Sequence, residues 1–322
     1  MWKALVRRFL IFIPQIIGVT IVIFILAEFM PGDALSGLYM DPTLDPIAIE
    51  AMREAHGLND PWNVRYVRWV TNMLQGDFGM SIQWHRPVLE VVGERIGNTI
   101  FLSLLTVIIV YIFAIPVGLI AGRYKGKMAE KAISVYNFIQ LSIPLVVFAV
   151  MLQWVFAILL IWFPLRGSVS VDAVGGGFFE VFLSRLHHAM LPALSMALLS
   201  GVGVIQFLAN EINDQRSTDY PLTARSKGVP IGKVYTRHIF RNSILPIVAG
   251  VGGIIVGLFG GAVIIETLFT FFGMGQLFVA SIAIQDWPVA NFLIVFYASL
   301  SMIGFLISDI ALTIFDPRIR IK

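Results

Sequence analysis

The sequence predicts an all-α integral membrane protein. It has six membrane-spanning helices, both ends on the inner side and a long first outer loop. Three observations predict this. Hydrophobic residues make up 57% of the 322 and charged residues only 13%, too few charges to cover a water-soluble surface. Six apolar stretches reach the roughly 20 residues that a helix needs to cross the hydrocarbon. They are Phe9–Phe29, Ile100–Ala121, Phe138–Phe163, Leu191–Ala209, Ile247–Ile265 and Phe292–Ile314. The basic residues, finally, gather in alternate connections.

Segments 1–8, 122–133, 210–245 and 315–322 hold 3, 4, 6 and 3 of the 23 Lys and Arg residues. The opposite loops, 30–98, 164–190 and 266–291, hold 5, 2 and 0, and segment 30–98 also carries nine acids. By the positive-inside rule both termini and the 210–245 segment are cytoplasmic. The net charge of +3 is thus a topology signal rather than a nucleic-acid footprint.

In chain order, the first stretch follows Lys3, Arg7 and Arg8. It is too long for a signal-peptide core and has no small-x-small cleavage site before Met30, so a retained first helix is expected. Loop 30–98 contains Trp62, Tyr66, Trp69, Phe78 and Trp84, with a helical pattern near Val64–Leu74. A small folded outer cap fits it better than a disordered linker. Leu268–Ala283 is apolar on one side and interrupted by Gly273-Met274-Gly275, which suggests a short interfacial or re-entrant helix. Pro14, Pro116, Pro144 and Pro192 lie in or beside spans and predict kinks. The expected organisation is an N-terminal helix with outer cap over 1–98, then a core of five spans over 99–322.

Several chemistries are excluded. Without cysteine there is no disulfide, thiolate metal site or Cys nucleophile. No G-x-x-x-x-G-K-[ST] occurs, so the chain has no phosphate cradle and ATP-driven work belongs to another subunit. No catalytic residue and no metal site are assigned. His187-His188 lacks a third ligand nearby. Glu28 and Glu266 fall near the outer ends of spans, where snorkelling or capping accounts for a carboxylate. Asp309, about five residues from the inner end of its span, suits a buried partner contact. A proton relay would need a series of such groups at mid-depth.

The polar island 210–245 carries the strongest signal. Tyr220-Pro221 starts a helix, since proline is tolerated in a first turn. Leu222–Lys227 continue it, and Gly228 and Pro230 end it with a bend. A second helical stretch follows over Ile231–Arg241. Two short helices at an angle make a knob that can enter a groove on another protein; the plainer alternative is an ordinary basic inner loop. Farther on, Ala249, Gly253, Gly257 and Gly261 form a stripe of small residues at every fourth position. It serves either packing within the chain or a subunit interface or pathway.

The island resembles the coupling motif of ABC-importer permeases. In the oligopeptide, dipeptide and nickel branch that motif reads close to T-A-R-A-K-G followed by R-N-A-L-L-P. Here it is Thr223-Ala-Arg-Ser-Lys-Gly228, and then Arg241-Asn-Ser-Ile-Leu-Pro246. The chain resembles the B-type permease of that branch along nearly its whole length. The matching motifs are Ile13-Pro14, Met30-Pro-Gly-Asp33, His56-Gly-Leu-Asn-Asp-Pro61, Gly76-Asp-Phe-Gly79, Ile115-Pro-Val-Gly118, Glu266-Thr-Leu-Phe269, Gly273-Met-Gly275, Asp286-Trp-Pro288 and Asp316-Pro-Arg-Ile-Arg320. One departure stands out: Leu222 occupies the place of the general motif's Glu.

The resemblance implies that Thr223, Ala224, Arg225, Lys227, Gly228, Arg237, Arg241 and Pro246 form the ATPase-binding coupling loop. The basic residues among them either meet acids on the ATPase or hold the loop inside. It further implies a second homologous permease subunit, two cytoplasmic ABC ATPase subunits and an extracytoplasmic substrate-binding protein. ATP and Mg belong to those ATPases, and no cofactor binds this chain. The expected setting is the lipid of a bacterial or archaeal cytoplasmic membrane. The expected cargo is an oligopeptide or dipeptide, with nickel as the alternative. A secondary transporter would need mid-membrane charges or broken helices in paired repeats, which are not evident; a channel subunit would work without nucleotide, and a scaffold would assemble with partners but move nothing.

Overall fold

A computed structural model describes residues 2–29, 46–55 and 59–315. The motif residues Met30–Asp33, His56–Leu58 and Asp316–Arg320 lie outside that set. Among the described residues the regular elements are helical, and a single bridge joins Met80 to Pro87. The chain divides into two compact units, one of 97–276 and 303–322 and the other of 2–96 and 277–302.

In the second unit, α1 (Trp2–Phe29) packs on α3 (Trp62–Leu74); α2 (Pro46–Ala55) lies between them in sequence. The outer-loop aromatics make this contact. Phe24 meets the rings of Tyr66 and Trp69 at 5.5 and 5.9 Å, and the Thr20 and Tyr66 hydroxyls are 3.0 Å apart. Glu28 is exposed and pairs with Arg65 at 3.0 Å. The segment after α3 is tied down by a fully buried carboxylate, Asp286. Its oxygens accept the Ser81 hydroxyl at 2.5 Å and the Ile82 and Gln83 amides at 3.2 and 3.3 Å. Phe78 sets its ring edge-on to Phe292 at 4.6 Å. This loop is ordered because a buried anion needs donors from somewhere, and these residues supply them.

The first unit is built on two long helices, α4 (Val88–Arg123) and α7 (Phe178–Arg216). They cross closely because Gly118 and Gly122 have no side chain. A Cβ on Gly122 would lie 2.7 Å from that of Ile212, and one on Gly118 3.0 Å from that of Leu208. Val110, Ala114, Ile205, Leu208 and Ile212 form the core there. A second core, nearer the other ends of the helices, gathers Leu102, Ala189, Leu191, Ile265, Phe269 and Phe271.

Between them run α5 (Met128–Ser142) and α6 (Leu145–Gln153), the latter ending in a π-helical turn over Trp154–Leu159. The sequence predicts one span over Phe138–Phe163. The structure bends it by 100° between α5 and α6. Pro144 has no amide to donate, and its ring drives the preceding Ile143 out of helical geometry, to φ −101 and ψ 122. Pro14, Pro116 and Pro192 stay inside unbroken helices.

The remainder of the chain forms α8 (Asp219–Ser226), α9 (Ile231–Lys233), α10 (Phe240–Ser243), α11 (Leu245–Ala249), α12 (Val251–Leu268), α13 (Met274–Ala283) and α14 (Trp287–Phe315). Among the described residues α4, α7 and α14 are long and apolar enough to cross a membrane, and the bent pair α5–α6 makes a fourth if it is one span. The first predicted span corresponds to α1, with a described apolar stretch Leu10–Leu26. The fifth corresponds to α12.

Candidate functional site

The island begins where α7 stops. Ser217 and Thr218 turn their hydroxyls back onto the carbonyls of Asp214 and Gln215, both at 2.7 Å, which satisfies acceptors that a helix end leaves open. Tyr220 donates to Gln215 Oε1 at 3.0 Å. α8 then starts with Asp219 in its first turn, where a negative charge suits the helix dipole. Pro221 follows, where a missing amide costs nothing.

α8 has two faces. Pro221 and Ala224 are buried, and Ala224 packs in one cluster with Val234, Tyr235 and Ile239. Leu222, Thr223, Arg225 and Lys227 point outward, with Leu222 58% exposed. The helix ends in a paired turn: the Gly228 amide donates to Arg225 O at 2.9 Å and the Val229 amide to Ala224 O at 3.2 Å. That closure requires a left-handed residue, and Gly228 has φ +79. The motif glycine is therefore the hinge-pin of the bend.

After Pro230 the chain is helical from Ile231 to Ser243, with a π-helical turn over Val234–Ile239 in the middle. The wide turn buries Val234, Tyr235 and Ile239 against α8 and α7, which leaves Arg237 and Arg241 exposed. Pro246 is exposed in the first turn of α11. Seven of the eight expected residues are thus exposed. Ala224 faces the knob's own interior.

Sequence reasoning did not single out Arg123, at the end of α4. Its guanidinium lies 5.3 Å from the Tyr124 ring centroid and 5.6 Å from that of Tyr235, within cation–π range. This joins α4 to the knob. The sequence signal was only an arginine in a basic block.

Glu266, at the far end of α12, is fully buried. Its Oε1 accepts the Thr99 hydroxyl at 2.7 Å, and its Oε2 accepts the amides of Gly275 and Gln276 at 2.7 and 3.2 Å. Thr99 Oγ1 in turn accepts the Met274 amide at 2.7 Å, and the Asn98 amide group donates to Phe272 O at 2.8 Å. Glu266 therefore caps the first turn of α13 and ties it to α4. Gly273 and Gly275 make room: a Cβ on Gly273 would strike the Glu266 carboxylate, and one on Gly275 would come within 2.5 Å of Val263 Cα.

Other expected positions are scattered. Gly253 is exposed, with open space where a methyl group would stand. The close crossing of this helix is made by its neighbour Gly252, against Gly304 of α14. The side-chain surroundings of Ala249, Gly257, Gly261 and Asp309 lie outside the described set. His187 Nε2 and His188 Nδ1 each lie 2.8 Å from a carbonyl, of Trp162 and Ser184 respectively. Among the described residues no three or more His, Asp or Glu gather in a way that could hold a metal.

Residues 114–321 match the protein family described as binding-protein-dependent transport system inner membrane component. The chain is 36% identical over 317 residues to the oligopeptide transport system permease protein AppB of Bacillus subtilis (strain 168), covering 98% of each chain. It is 30% identical, again over 98% of each, to a probable peptide ABC transporter permease protein, y4tP, of Sinorhizobium fredii. It is 28% identical, over 100% of each, to the glutathione transport system permease protein GsiC of Salmonella paratyphi A.

Proposed function

Because this chain belongs to the family of binding-protein-dependent transport system inner membrane components, as an ABC-importer permease of the peptide family, we propose that it moves oligopeptides or dipeptides inward by alternating access driven by partner ATPases. A second homologous permease completes the pathway, two cytoplasmic ATPase subunits bind ATP and Mg, and an extracytoplasmic binding protein delivers cargo to the outer loops. α1, α4, α5–α6, α7, α12 and α14 supply six spans with both ends inside. The setting is the cytoplasmic membrane of a bacterium or archaeon. The names of the cited relatives favour a peptide cargo; none of the three is named for nickel.

The observation that carries this reading is the construction of the knob. α8 is backed by its own small core and closed by Gly228, so it resists deformation. Its outer face offers Leu222, Thr223, Arg225 and Lys227 to a partner. The replacement of the motif's Glu by Leu222 then has a physical sense. This chain grips by burying an exposed apolar side chain, a contribution of about 1.5–3 kcal/mol for a leucine, with the flanking cations adding orientation and encounter rate. When the ATPases close on ATP the knob moves with them, and packed helices carry the displacement outward as a rocking motion.

Gly228→Pro and Ala224→Asp test the reading. Proline fixes φ near about −65°, the wrong sign for this turn, and the aspartate puts an unpaired charge into the knob's core. Both variants are expected to abolish ATP-driven uptake or ATPase association in the reconstituted complex. Normal uptake in both would sink the reading.

A further inference from the structure

The knob has two routes to the outer end of its unit. The covalent one leads through α10 and α11 into α12. Turns at Ile244 and Gly250 divide it into three short helical segments, although both amides still donate to the carbonyl four residues back. The other route is α4, a single helix from Val88 to Arg123 that lacks one ladder bond, at Pro116. At its inner end Arg123 lies on the buried ring of Tyr235 in the knob, and one residue earlier Gly122 lets α4 seat against Ile212 of α7. Within α4, toward its outer side, Thr99, fully buried, hydrogen-bonds both the Glu266 carboxylate and the first amide of α13. At about 1.5 Å per residue the stretch from Thr99 to Arg123 is roughly 36 Å long, more than the hydrocarbon thickness.

We infer that α4 is the strut that transmits the knob's displacement to the first turn of α13, with Arg123 as its receiving and Thr99 as its delivering residue. Both are positioning residues: neither touches cargo or nucleotide. The inference rests on the coupling role assigned to the knob. It adds a route and two named ends. Glu266 makes the outer joint rigid, because its carboxylate is engaged by donors from α4 and α13 at once, and a buried anion that lost them would be left unpaired. The inner joint is a cation–π contact, 5.6 Å from the guanidinium to the ring centroid.

The experiment is a double-mutant cycle in the full four-subunit transporter with its binding protein, reconstituted in proteoliposomes. Thr99→Val removes the hydroxyl and keeps the volume. Arg123→Lys keeps the charge and replaces the planar guanidinium with a compact ammonium. The readout is substrate moved per ATP hydrolysed, with assembly checked in the same preparation. Each single variant is expected to lower that ratio about five-fold or more, the scale of an ordinary coupling energy, while Thr99→Ser restores it. The double variant is expected to be no worse than the poorer single, since both cut one strut. Independent structural roles this far apart would instead combine additively in free energy, and that result, or unchanged ratios in both singles, overturns the inference. Asn98→Leu, at a position that is not buried, replaces Thr99→Val if that variant does not assemble. Gly228→Pro run alongside separates the two claims. If it transports normally, the knob's coupling role fails; if it does not and the cycle is additive, only the strut fails.

Discussion

Single side chains decide how firmly the two ends of this chain's first unit are held. Gly275 is tightly constrained, because its missing Cβ leaves room for the backbone of Val263, 2.5 Å from where a methyl group would stand. Backbone cannot swing aside as a side chain can. Gly275→Ala is therefore expected to destabilise the purified complex by about 1–3 kcal/mol, the usual scale of overpacking, read as a lower Tm; an unchanged Tm would contradict the geometry. Glu266 shows how far a sequence goes at this scale. Its position near a span end left snorkelling and capping as accounts, and it proves to be a cap. Its burial was not legible, because its partners are Thr99, distant in sequence, and two amides that carry no side-chain signature. Gly228 was legible, since glycine followed by proline after a helical run predicts the left-handed closure that is found. Leu222 was legible as a departure from a motif, but its 58% exposure is a fact of packing.

At the scale of elements, hydropathy located α4, α7 and α14, and Pro144 marked the kink found between α5 and α6, though not its size. Ile143 and Pro144 sit inside an apolar run, so composition alone reads straight through them, while the backbone turns by 100°. The π-helical turn Val234–Ile239 was equally hidden: it arises because a wider turn brings Val234, Tyr235 and Ile239 to one buried face, a tertiary reason. The bent pair α5–α6 crosses the membrane once in this account. The cysteine-free chain makes that testable with introduced thiols. A thiol at Ala129→Cys is expected to react with an impermeant reagent only from the inner face, and one at Leu165→Cys only from the outer face. Reaction of both from the same face would make the pair a re-entrant loop and remove the basis for six spans.

The whole molecule combines an apolar body and a basic loop with an exposed face, and its sequence carries no phosphate-binding loop. Membership of the binding-protein-dependent inner membrane components makes it an ABC-importer permease of the peptide family, and partner subunits are proposed to supply its energy. The division into two units was beyond sequence reading, since 277–302 joins 2–96 through contacts such as Asp286 with Ser81 and Phe292 with Phe78. The central claim is that this chain moves peptide only when partner subunits hydrolyse ATP. Its most direct test is uptake of a labelled oligopeptide into proteoliposomes containing this chain, its partner permease and both ATPases, with binding protein outside and nucleotide within. The account expects uptake that needs both ATP and the binding protein and stops when hydrolysis is blocked. Peptide flux that continues unchanged without nucleotide would contradict it.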